Sequence, residues 1–159
     1  MDKNTYINIL SDTLVKKCKV LDYLIEITLK QEDFIDQETL DLDAFEQTLS
    51  EKEKLIEQLN QLDEGFERIY EHVSEEISKN KLEHKDQILF LQELIKQVSE
   101  KSVNLQIAEV ENKGKLEIYF SARKKEIRNF KISSQTASNY YKNMANQYHG
   151  ESYFLDKKK

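Results

Sequence analysis

Proline is absent from all 159 residues of this chain. At average usage about eight would be expected. Glycine, the other strong helix breaker, occurs only at Gly65, Gly114 and Gly150. A chain so poor in breakers and rich in Glu, Lys, Gln and Leu can run in long helices and has few places to turn. The expected fold class is therefore all-α: an elongated antiparallel helical bundle or coiled coil with a long C-terminal helix.

Apolar periodicity divides the chain. Ile7, Leu10, Leu14, Cys18, Leu21, Ile25 and Leu29 recur at three- and four-residue steps, predicting a helix over about 3–36 with one apolar face. Lys16, Lys17, Lys19, Asp22 and Glu26 fall largely off that face. The acidic stretch "DQETLDLDAF" interrupts the pattern, and Asp41 or Asp43 can cap the next helix. Asp43 with Glu46 also fits a capping box. This second helix, over about 42–79, carries Phe45, Leu49, Ile56, Leu59, Leu62, Phe66, Ile69, Val73 and Ile77 at near coiled-coil spacing. Gly65 lies inside it, at a cost of about 1 kcal/mol against Ala. A third helix should begin near 81, with Leu82, Ile88, Leu91, Ile95, Val98, Leu105, Ile107 and Val110 in its stripe. Asn112 and Gly114 either end it within 112–115 or are passed over in one long helix reaching the early 130s. Residues 113–149 read as a basic amphipathic helical extension, and 150–159 as a flexible tail.

The net charge of −6 conceals two poles. Residues 113–159 hold eleven Lys/Arg against four Asp/Glu, whereas residues 1–112 hold thirteen against twenty-six. Opposite poles suggest different partners for different surfaces. Arg123, Lys124, Lys125, Arg128 and Lys131 form a solvated helix face or a docking site for an acidic protein. The acidic remainder argues against nucleic acid, which would be repelled. Tyr140, Tyr141, Tyr148, Tyr153 and Phe154 add a cluster of aromatics near the end.

Enzymatic signatures are missing. The sequence has no phosphate-cradling glycine motif and no His-x₃-His or cysteine pair for a metal. His72 follows Glu71 directly, which is the wrong spacing for a Glu-x-x-His ligand pair. No enzyme, cofactor or metal is expected. Cys18 is the one cysteine and falls on an apolar stripe, so it reads as packing. The start of the chain lacks the basic-then-apolar layout of a signal peptide, and no apolar run approaches a membrane span. A cytoplasmic location without membrane insertion is therefore expected.

The segments "LVKKCKVLDYLIEITLKQEDFI" and "LDLDAFEQTLSEKEKLIEQLNQLDEGFERI" resemble the FlgN family of flagellar export chaperones. The likeness rests on Leu21, Leu24, Leu42, Phe45, Lys52, Glu53, Leu55, Leu59 and Leu62, with Asn112 at the place of an Asn common in the family's third helix. It spans about 10–112. Cys18, Lys19 and the Gly65–Phe66 pair depart from the pattern, and FliT-type chaperones are similar in size and build. The resemblance implies a non-enzymatic cytosolic chaperone that binds the C-terminal amphipathic helix of hook-associated proteins (FlgK- or FlgL-like). It also implies that the chaperone prevents their premature assembly and delivers them to the type III export gate.

A client helix needs an apolar row to lie in. Leu116, Tyr119, Phe120, Arg123, Ile127 and Phe130 are the expected groove, exposed because the third helix should outgrow its companions. Tyr140 and Tyr141 are expected contacts to the gate or the client. The competing reading is a non-enzymatic coiled-coil scaffold or regulatory adaptor that self-associates, as a homodimer for example.

Overall fold

A computed structural model describes residues 2–121. Three helices make it up: α1 (Lys3–Ile35), α2 (Leu42–Lys79) and α3 (Lys85–Phe120). At about 1.5 Å per residue they are each roughly 50–57 Å long. They pack as an all-α bundle. No described helix is long and apolar enough to cross a membrane.

Local chemistry explains the boundaries. Asp2 caps α1, its carboxylate accepting from the Thr5 amide at 2.8 Å. Asp41, not Asp43, caps α2, accepting from the Ala44 amide at 3.2 Å. Gly65 does not interrupt α2, because the apolar stripe on both sides of it is buried against α1. α3 begins four residues later than the periodicity predicts: residues 81–84 form a turn, and Leu82 lies out in solvent. The helix then runs through 112–115 without a break.

The chain goes up, down and up. Contacts from α1 to α2 pair Lys3 with His72, Lys17 with Asp63 and Gln31 with Thr48, so those helices are antiparallel. Contacts from α1 to α3 pair Asn8 with Gln87, Asp22 with Lys101 and Asp36 with Lys115, so those two run parallel. α1 is the shared partner, with close backbone packing to both others, whereas the backbones of α2 and α3 stay more than 8 Å apart.

The main core joins Leu10, Leu14, Leu21 and Leu24 of α1 to Leu59, Phe66 and Val73 of α2 and Leu91, Ile95, Val98 and Leu105 of α3. Each such side chain contributes about 1.5–3 kcal/mol on burial. Cys18 packs in this core, where burial pushes its thiol pKa up. A second, smaller cluster of Ile35, Leu40, Phe45 and Phe120 closes the far end, with Phe34, Leu42, Leu49, Leu116 and Tyr119 against it.

A helix with neighbours on two sides needs two buried faces, and this corrects the reading of α1 as singly striped. Lys17 is buried, 2% exposed, and its ammonium sits 2.7 Å from the Asp63 carboxylate. Thr28 and Gln31 are also buried, whereas Leu29, expected on the apolar face, is half exposed.

Candidate functional site

α3 presents apolar side chains on roughly opposite sides. Leu91, Leu94, Ile95, Val98 and Leu105 face inward and are buried. Val103, Ile107, Val110 and Ile118 recur at steps of four, three and eight residues, which places them on one line down the other side. All four are exposed, Val110 at 70% and Ile118 at 77%. Gly114 fills the remaining place in that line, between Val110 and Ile118. Leu89, about four turns before Val103, lies on the same side and is also half exposed. Glu111, Lys113 and Glu117 are exposed beside the row, giving it a rim of mixed charge.

Among the described residues Gly114 packs against no neighbour. A Cβ built there meets nothing within 4 Å. A mid-helix glycine costs about 1 kcal/mol against alanine. Its effect here is to leave a notch in the middle of an apolar row, where a second helix backbone can come close.

A polar layer between the two apolar clusters holds α3 in this rotation. The Asn112 amide donates to the Thr28 carbonyl at 2.9 Å. The Thr28 hydroxyl lies 3.1 Å from Glu109 Oε1 and 2.7 Å from the Leu24 carbonyl, and shares its one hydrogen between them. Glu109 forms an ion pair with the Lys52 ammonium, which also donates to Gln31 Oε1 at 3.0 Å. Gln31 Nε2 donates in turn to the Thr48 hydroxyl at 2.9 Å. All three helices supply members. Turning α3 about its axis would strand Asn112 and leave Lys52 buried without its carboxylate, a penalty of several kcal/mol. Burial pulls the Lys52 pKa down to about 7. The Glu109 carboxylate beside it opposes that pull. On the exposed surface, Lys115 adds a fork to Glu32 at 3.3 Å and Asp36 at 3.0 Å.

The expected groove is not where the apolar row lies. Phe120 is only 3% exposed, and Leu116 and Tyr119 pack with it onto the α1–α2 connection. Tyr119 and Phe120 meet edge to face with ring centroids 5.1 Å apart, and the Tyr119 hydroxyl accepts from the Leu40 amide at 3.2 Å. These three side chains therefore close this end of the described bundle, because the α1–α2 connection folds back far enough to cover them. Arg123, Ile127, Phe130, Tyr140 and Tyr141 lie outside the described residues. Ile107 and Val110, expected in the buried stripe, belong to the exposed row. The signal for that row was in the sequence: Val103 and Ile118 extend Ile107 and Val110 along a line that Leu105 does not share.

None of the protein-family models, curated proteins or solved structures compared with the chain matches it.

Proposed function

We propose that this protein is a non-enzymatic cytoplasmic export chaperone of the FlgN type. Its client is the C-terminal amphipathic helix of a hook-associated protein, which it receives on the outer face of α3 and carries to the type III export gate. The observation that supports this most is the line Val103, Ile107, Val110, Gly114 and Ile118. It offers apolar anchors at helical spacing, with a notch for close backbone approach, on a helix whose rotation is pinned from behind. Aliphatic rows of this kind left open on a monomer mark interaction surfaces. Covering the client's sticky face would prevent early polymerisation, and no bond chemistry is needed.

Light scattering of the full chain with a peptide of that client helix tests the reading. A one-to-one complex that is lost in the double variant Ile107→Asp, Val110→Asp supports it. A dimer that ignores the peptide, and that the same double variant dissolves, favours the self-associating scaffold instead.

A further inference from the structure

At the opposite end from Phe120, the turn between α2 and α3 gathers Glu76, Glu83 and His84. One ligand atom from each lies within 4.8 Å of the other two. His84 is the N-cap residue of α3 and is 4% exposed, yet its Nε2 has no hydrogen-bond partner among the described residues. Buried polar atoms are normally satisfied. This one faces Glu76 Oε1 at 3.9 Å, too far for a hydrogen bond.

The neighbours decide which nitrogen of the ring carries the proton. Gln87 Nε2 donates to Asn8 Oδ1 at 2.9 Å, which turns Gln87 Oε1 toward the imidazole. That oxygen lies 3.3 Å from His84 Nδ1 and can only accept, so Nδ1 holds the hydrogen. Neutral His84 therefore presents a bare lone pair at Nε2, directed at a carboxylate. Two electron-rich atoms at that separation leave room for a cation to bridge them. Glu76 is held from its other side: Asn80 Nδ2 donates to its Oε2 at 2.6 Å, and Oε1 is the oxygen nearest the ring.

We propose that Glu76, Glu83 and His84 form a site for a divalent transition-metal ion of the zinc class. One imidazole nitrogen and two carboxylates match the ligand preference of Zn²⁺, and their charge neutralises the ion. An imidazole whose other nitrogen is fixed by a hydrogen bond is the usual form of a metal-binding histidine. Ligand atoms around a tetrahedral ion with bonds of about 2.1 Å stand roughly 3.4 Å apart. The exposed Glu83 side chain, on the turn, has the freedom to close the remaining gap. Bound there, the ion ties the end of α2 to the start of α3, with water in its open positions. The site is independent of the outer face of α3 and of the chaperone reading.

Calorimetry of the metal-free full chain with zinc chloride at neutral pH tests it, alongside thermal unfolding. Saturable one-to-one binding and a raised Tm are expected. Both effects should vanish in Glu83→Gln, an exposed substitution that leaves the metal-free Tm unchanged. Gln87→Ala, which frees the ring, should weaken binding about 10–100-fold. Cobalt(II) in place of zinc should give ligand-field bands without thiolate charge transfer, which separates this site from one at Cys18. No binding, binding that survives Glu83→Gln, or equal affinity for calcium would each overturn the proposal.

Discussion

α2 and α3 flank the same helix, but they meet solvent differently. Among the described residues, none of the large exposed apolar side chains lies on α2, whereas Leu89, Phe90, Val103, Ile107, Val110 and Ile118 all lie on α3. α2 buries one apolar stripe, together with Lys52 and Asp63, and turns most of its acids to solvent, as a bundle helix finished by water does. α3 is apolar on two sides and buries only one of them. The difference shows that amphipathicity alone does not mark the functional helix. The informative helix is the one whose hydrophobic content exceeds what its own fold can cover.

The largest effect should come from the inner side of α2. Asp63→Ala would remove the carboxylate that faces the buried Lys17 ammonium, and we expect a loss of about 3–5 kcal/mol in urea unfolding. A loss under about 1 kcal/mol would mean that the pair is solvated and that α2 is not tightly seated on α1.

Next come the two sides of α3 itself. Leu105→Ala should destabilise by about 2–5 kcal/mol, whereas Val103→Ala, two residues away, should stay within about 0.5 kcal/mol. Equal costs for the two would erase the distinction between the buried and open faces.

The layer that sets the rotation of α3 should be visible in pH. With the folded pKa of Lys52 at about 7 and an unfolded value of about 10.4, the unfolded chain binds more protons between those limits. Stability should therefore rise as pH increases from about 7 to 10, and Lys52→Met should remove that increment. A rise of the same size in the variant would assign it to other groups. A flat wild-type curve would mean that Glu109 holds Lys52 fully charged.

The smallest effect is the most discriminating. Gly65 of α2 and Gly114 of α3 both have open space where a Cβ would go. Changing either to Ala should stabilise by about 1 kcal/mol, a Tm gain of about 2–4 °C. Only Gly114→Ala should weaken capture of the client peptide. If both variants bind as wild type, the notch in α3 has no role in docking.

The sequence carried the spans of α1 and α2 and the all-α class, and narrowed the cap before α2 to Asp41 or Asp43, because apolar spacing and short acidic side chains act locally. It did not carry what depends on the number of neighbours. Lys17 and Gln31 look like solvent-facing residues until a second helix is placed against α1 and supplies Asp63, Lys52 and Thr48. In α3, Ile107 and Val110 merge with Leu105 at three- and two-residue steps, so a helix with two apolar sides reads as one with a broad stripe. Asn112 could either end the third helix or be passed over within it, because its type suits a C-terminus without requiring one. In the fold it is a buried donor to Thr28, inside the helix rather than at its end. Leu116 and Phe120 look like an overhang only while the α1–α2 connection, which covers them, has no position.

The outer face of α3 as the docking surface is tested most directly by methyl NMR of the full chain during titration with an amphipathic client helix. We expect saturating shifts at Val103, Ile107, Val110 and Ile118, with Ile56, Val73 and Ile77 of α2 unmoved. Shifts concentrated on α2, or a spectrum indifferent to the peptide, would contradict the account.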